Sequence, residues 1–227
     1  TSFYDQTAFM LGTLTYEQRN FKEAKLWFAK VNESKLLGNA RYDYEFRYAY
    51  TLLQLKDYSN SRYYFGKLIG QHTKYESAAN YYYAYTEYTQ KHYEKALAGF
   101  LKVKDDPEYK DFVPYYIVQI YYQQKKYDEL MPLAEDLLKK NPNNENNLEI
   151  YRILGECYYQ RKDYQKTIEY LSKYQAKASK VVRNEMYLLG ISYYNEGDCD
   201  NAVKSLSKTT TEDDEMSQNA FLHLGIC

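Results

Sequence analysis

The sequence predicts an all-α solenoid, six helical hairpins stacked in register and followed by one terminal helix. Two observations carry that prediction. A small or modest residue recurs at Gly12, Ala49, Ala84, Val118, Gly155, Gly190 and Gly225, at spacings of 37, 35, 34, 37, 35 and 35 residues. Around each, apolar residues fall three and four apart, the period of a helix face. A repeat of this length marks a helical-hairpin array, in which a unit buries its apolar face only by stacking on the next.

The units are expected at about 5–38, 42–74, 77–110, 111–146, 148–181 and 183–215, with a terminal helix over 216–227, all in one elongated array over 1–227. In the first unit the pattern is carried by Leu11, Gly12, Phe21, Ala24 and Phe28, and in the third by Ala84, Tyr93, Ala96 and Phe100. The fifth reads Tyr151, Leu154, Gly155, Tyr158 and Tyr164, then Ile168 and Leu171; the sixth reads Met186, Leu189, Gly190, Tyr193, Gly197, Ala202 and Leu206. Small residues such as Ala24, Ala96 and Ala202 on the second helix offer a hollow in which the two helices approach closely. Phe21, Tyr58, Tyr93, Tyr127, Tyr164 and Cys199 open the second helices and plug the bend.

This pattern resembles the tetratricopeptide repeat, W-x2-L-G-x2-Y followed by A-x3-F and P. The resemblance runs over essentially the whole chain and implies a right-handed α–α superhelix. The signature Trp is absent from its place, since Trp27 belongs to a second helix, and only Pro142 stands at the closing proline position. The fourth unit departs furthest: Val118 and Leu130 stand where small residues belong, and Ala134 where Phe28, Phe65 and Phe100 stand elsewhere. Bulk moved in this way predicts a locally altered helix crossing. Pro132, lacking an N–H, predicts a bend or late start in the same helix.

One residue after the packing positions of each first helix lies a second cluster, pointing more than a right angle away. It contains Phe9 and Tyr16; Phe46 and Tyr50; Tyr81, Tyr85 and Tyr88; Tyr115 and Tyr122; Arg152 and Tyr159; and Tyr187 and Tyr194. In tetratricopeptide proteins this face lines the concave groove, so the resemblance implies that these thirteen residues form a partner-binding surface. Tyrosine suits such a surface, with a rigid apolar ring and a hydroxyl for the ligand's backbone. The competing reading is packing alone, tyrosine being a common filler of this repeat. Arg152, between Glu149 and Glu156, reads either as a self-neutralising helix triplet or as a polar specificity point. The family's carboxylate clamp of Lys, Asn and Arg is missing, because its positions hold Phe9 and Thr13, Phe46 and Tyr50, and Tyr81 and Tyr85.

Other functions find little support. A formal charge of −1 provides no field for nucleic acid or anionic lipid. No apolar run reaches the roughly 18 residues of a membrane span. Cys157, Cys199 and Cys227 are odd in number and widely spaced, which argues against a disulfide framework or a zinc cluster. His72, His92 and His223 fall in separate units, and His223 with Cys227 reads as plain helix surface rather than a metal site. No glycine-rich loop cradles phosphate. The acidic run Glu212–Glu215 reads as a solvated helix start.

These features predict a non-enzymatic scaffold without cofactor or metal that holds a protein or peptide segment in an aromatic concave groove. One alternative is a sensing or scaffolding segment of a larger bacterial signalling or envelope-assembly protein, consistent with a helical pattern that stops at Cys227 in mid-unit. Another is a toroidal enzyme using paired carboxylates, disfavoured because the inward acids Asp43, Glu149 and Glu156 are few. The YY-x-KKxY-type units are similar to bacterial tetratricopeptide proteins, which leans the expected compartment toward periplasm or cell envelope, with cytoplasm as the alternative.

Overall fold

The computed structural model describes residues 3–180 and 182–227. Thr1, at the expected start of the array, and position 181, the expected end of the fifth hairpin, lie outside the described residues. Among the described residues there are thirteen α-helices and no strand. They form antiparallel pairs: α1 (Phe3–Glu17) with α2 (Phe21–Phe28), α3 (Asn39–Gln54) with α4 (Tyr58–Leu68), and α5 (Glu76–Thr89) with α6 (Tyr93–Val103). Next come α7 (Val113–Gln123) and α8 (Tyr127–Lys140), α9 (Asn147–Gln160) with α10 (Tyr164–Lys177), and α11 (Arg183–Asn195) with α12 (Cys199–Leu206); α13 spans Glu215–Ile226. The fold is therefore an all-α helical repeat.

Each hairpin turns by the same device. Arg19, Lys56, Lys91, Lys125, Lys162 and Gly197 all have positive φ, between 56° and 78°. The left-handed residue and its successor return two hydrogen bonds into the preceding helix: Lys56 N–H to Leu53 O at 2.9 Å and Asp57 N–H to Leu52 O at 2.8 Å, repeated by Lys162 to Tyr159 and Asp163 to Tyr158. This paired cap satisfies carbonyls that the helix end would leave open. Glycine takes the conformation freely only at Gly197; the other five turns hold a long unbranched side chain there at a modest cost. The next helix then starts on a polar cap, where Asn20, Asp163 and Asp198 accept from the backbone N–H three residues on.

Close approach inside each hairpin follows from size complementarity. Phe28, Phe65 and Phe100 are fully buried, as are Leu171 and Leu206 at the corresponding depth of later hairpins. A methyl group on Gly12 would lie 2.6 Å from the Phe28 ring, and one on Gly190 would lie 2.7 Å from Leu206 Cδ2 and 3.2 Å from its backbone nitrogen. Ala24, Ala96 and Ala202 are likewise fully buried. In the second hairpin Ser61 takes the alanine position and satisfies its hydroxyl by donating to Ala49 O at 2.9 Å.

The chain divides into two compact units, Thr1–Ile120 and Tyr121–Cys227. The division falls within α7, in the fourth hairpin, where the size pattern is broken. Val118, Leu130 and Ala134 are all fully buried, so the displaced bulk is still core.

Two expectations are corrected. Pro132 lies inside α8, which runs from Tyr127 to Lys140 and is not delayed by it. Cys199 and Cys227 form a disulfide across 28 residues, with Cα atoms 5.4 Å apart. Their spacing carries no sign of this, because packing of α13 on α12 is what brings the two ends together. A cross-link over such a span restricts the unfolded chain by roughly 3–4 kcal/mol in the loop-entropy account. Cys157 is free and buried, and burial pushes its thiol up to about 12.

Two glycines test the packing with opposite signs. Gly190→Ala is expected to destabilise the second unit by about 1–3 kcal/mol, because Leu206 has no room to withdraw. Gly66→Ala, whose methyl would meet only Tyr83 Cε2 at 3.6 Å, is expected to stabilise the first unit by about 0.5–1 kcal/mol through helix propensity. Urea denaturation of both variants measures the pair.

Candidate functional site

In the first unit the aromatic positions of neighbouring first helices form two clefts. The first, of about 430 Å³, is lined by Tyr16, Glu17, Arg19, Phe21, Phe46, Tyr50, Gln54 and Tyr82. The second, of about 380 Å³, is lined by Leu53, Gln54, Lys56, Tyr58, Tyr81, Tyr82, Tyr85 and Tyr116. They share Gln54 and Tyr82 and so adjoin. Five of the expected residues, Tyr16, Phe46, Tyr50, Tyr81 and Tyr85, are in these walls.

The rings brace one another edge to face. Tyr50 meets Tyr16 at 5.9 Å, Phe21 at 6.0 Å and Tyr82 at 5.1 Å between centroids. Phe46 stacks on Tyr75 at 4.5 Å, and Tyr81 stacks on Tyr109 at 4.6 Å. Such contacts hold each ring in one orientation, which lowers the entropy lost when a ligand settles on it. Burial chiefly, with the neighbouring Tyr50 adding, raises the phenols of Tyr16 and Tyr82 to about 12. Both stay neutral hydroxyls able to donate and accept.

The remaining expected positions of this unit serve packing. Phe9 lies against Phe28 at 6.4 Å and Tyr44 at 6.2 Å. Tyr88 donates its hydroxyl to Gln119 Oε1 at 2.5 Å and meets Tyr116 at 5.2 Å. Tyr115 is 4% exposed, leaving its ring no surface for a ligand. Sequence reasoning missed Tyr82, Tyr116, Phe21, Tyr58 and Gln54. Tyr82 and Tyr116 follow Tyr81 and Tyr115 directly, and the doublets Tyr81-Tyr82 and Tyr115-Tyr116 were the available signal.

In the second unit Arg152 is the centre of an ion cluster. Its guanidinium donates to Glu149 through Nε at 2.9 Å and Nη2 at 2.5 Å, pairs with Glu156, and lies 3.6 Å from Glu185 Oε1. It also sits 5.5 Å from the Tyr122 ring centre, while the Tyr122 hydroxyl donates to Glu156. Glu149 above all, through its hydrogen bonds, holds the guanidinium further into its charged form. Three carboxylates around one cation leave excess negative charge. Glu185, on α11, is 5% exposed, and burial raises its carboxyl above the ordinary value, with the charge of Glu156 adding and Arg152 opposing. Glu185 is four residues before Leu189 and was not singled out in the sequence, because nothing local shows that it meets α9. Tyr159 packs with Leu171, Leu188 and Tyr187. Tyr187 donates to Asn219 Oδ1 at 2.9 Å, and Tyr194 meets the His223 ring at 4.6 Å.

Among the described residues no helix is long and apolar enough to cross a membrane. Residues 123–209 match the family described as anaphase-promoting complex, cyclosome, subunit 3. No curated protein matches the chain. The structure is similar to that of Pseudomonas aeruginosa pilF over 96% of this chain and 97% of the other, with TM-score 0.62 and 16% identity. It is similar to YrrB, described as a TPR protein with an unusual peptide-binding site, over 86% of this chain and 97% of the other, with TM-score 0.65 and 15% identity. PilW, described as a widely conserved type IV pilus biogenesis factor, aligns over 97% of this chain and 100% of its own, with TM-score 0.54 and 13% identity. At these identities the likeness is one of fold. The class the fold defines is that of all-α helical-repeat proteins. Within it the repeated turn, the small-to-large packing pair and these likenesses give the chain the fold of tetratricopeptide-repeat proteins.

The Glu185 environment sets a pH dependence. A carboxyl whose folded pKa exceeds its unfolded value contributes stability fully present below the unfolded pKa and lost as pH rises through the folded one. Glu185→Gln is expected to remove that loss and raise the stability of the second unit at neutral pH. Denaturation at about pH 4.5 and pH 7 should show a smaller difference for the variant than for the native chain; equal differences would contradict the assignment.

Proposed function

We propose that the chain is a non-catalytic adaptor that holds an extended segment of a partner protein across the two tyrosine clefts of its first unit. The observation that carries this reading is the adjacency of the clefts through Gln54 and Tyr82. Together they offer braced aromatic walls for apolar or proline side chains and neutral hydroxyls for a ligand's backbone. Gln54, exposed between them, can give and take one hydrogen bond each with a peptide group. Glu17, Arg19 and Lys56 stand at the margins with mixed charge, so side-chain fit rather than net charge selects the segment. The likeness to YrrB supports a peptide ligand.

A second reading places the adaptor in envelope assembly, as in the notion of a sensing or scaffolding segment of a larger bacterial protein. It is favoured by the Cys199–Cys227 disulfide, a bond that persists in oxidising compartments, and by the likeness to a pilus biogenesis factor.

Selection from a displayed library of random 12-residue peptides tests the adaptor reading. Enriched peptides are expected to bind at least tenfold more weakly to Tyr82→Ala and to Gln54→Ala, and equally well to Tyr63→Ala, whose ring is 58% exposed and outside both clefts. Fluorescence anisotropy with the labelled peptide reads the affinities, and equal binding by all four proteins would remove the proposal.

A further inference from the structure

Helix α13 is held at its two ends by different chemistry. At its start Asp214 caps the helix, accepting from Ser217 N–H at 2.9 Å. Arg183 then clamps the cap, donating to both Asp214 oxygens at 2.6 and 2.7 Å and to Ser217 Oγ at 2.7 Å. Along its length α13 buries only Ser217 and Ala220, against seven buried residues in α11. Phe221, Leu222 and Ile226 are about 60% exposed. What closes the far end of α13 is the bond from Cys227 to Cys199, the first residue of α12.

The position of Cys199 explains the bond. At the same place the other five second helices open on Phe21, Tyr58, Tyr93, Tyr127 and Tyr164. Phe21 uses its ring to meet Tyr50 of the following first helix at 6.0 Å. The sixth hairpin has no ring there, and its cysteine joins α12 to α13 covalently. The half of α13 so fixed contains His223 against Tyr194 and Leu224 against the Ile191 and Leu206 cluster, and Asn219 one turn earlier accepts from Tyr187. Tyr187 and Tyr194 are thereby committed to α13.

We propose that Cys199–Cys227 is a redox-responsive clasp, closed in an oxidising compartment, whose opening by a dithiol reductant frees the C-terminal half of α13 and uncovers Tyr194. Cys227 is exposed and Cys199 half-buried, so an incoming thiolate has access to the bond. The thiolate attacks one sulfur and forms a mixed disulfide while the other leaves as thiolate and takes a proton. The reductant's second thiol then displaces the attacked cysteine. The balance is one protein disulfide and one dithiol giving two protein thiols and one cyclic disulfide. Cys157, buried at the hairpin of α9 and α10, stays outside this exchange.

Hydrogen exchange on the full chain tests the clasp in three states: oxidised, reduced with dithiothreitol, and as the double variant Cys199→Ser, Cys227→Ser. Peptide mapping without reductant is expected to recover 199 and 227 linked in the oxidised state. Amides of 220–227 are expected to exchange at least tenfold faster in the reduced chain and in the variant, and α9 and α10 at unchanged rates. Nitration of Tyr194 by tetranitromethane should rise with reduction, and the variant should not respond to dithiothreitol. Exchange within twofold in oxidised and reduced chains, free thiols after incubation with glutathione disulfide, or loss of protection throughout Tyr121–Cys227 on reduction would each overturn the proposal. Should the variant fail to fold, the native chain before and after reduction decides the question.

Discussion

The structure depends on how closely the two helices of a hairpin can approach. In the first, fifth and sixth hairpins that distance is set by one pair, a small residue on the first helix and a large one on the second: Gly12 beneath Phe28, Gly155 beneath Leu171, Gly190 beneath Leu206. Where the pair holds, the large side chain is fully buried and the first helix is pulled flush against the second. The left-handed residue at each bend adds a fixed exit direction. Together they make each hairpin a rigid tile, and the faces of successive tiles can then meet in register.

Rigid tiles give tyrosine two uses. On the packing side its ring fills space and its hydroxyl needs a partner, as when Tyr44 donates to Phe28 O at 3.2 Å inside the first two hairpins. On the opposite side of the first helices the rings lean on one another and leave a cleft between them. The difference lies in what the next helix places above the ring. Tyr50 and Tyr85 face a gap, whereas Tyr115, at the place that Phe46 and Tyr81 take in the two preceding hairpins, is covered. A surface built this way is adaptable in composition and fixed in shape, and the adaptor proposal rests on that shape.

The second unit spends the equivalent positions differently. Arg152 and Glu156 take places that hold aromatic rings in the first unit and join Glu185 in a charge cluster, and Tyr187 and Tyr194 are occupied by α13. Charge pairs removed from water are geometrically demanding and weakly stabilising. Their effect here is to fix how α9 and α11 sit against each other. The disulfide at the end of α13 does the same for the last helix, by a covalent route.

Periodicity is a local property, so the residue pattern by itself determined the all-α helical-repeat class, and it carried the small-to-large pairs of the first, fifth and sixth hairpins and five of the residues that line the clefts. The same pattern carried Tyr82 and Tyr116 only as second members of tyrosine doublets, and left the left-handed lysines unmarked because a lysine tolerates that backbone without advertising it. Tertiary structure alone decided that Cys199 meets Cys227, that Glu185 joins Arg152 and Glu156, and that Tyr115 is covered while Tyr82 is shared between clefts. Each of these depends on which face of one helix meets which face of another some thirty residues away, and a helical period specifies its own face without naming the residue that will oppose it.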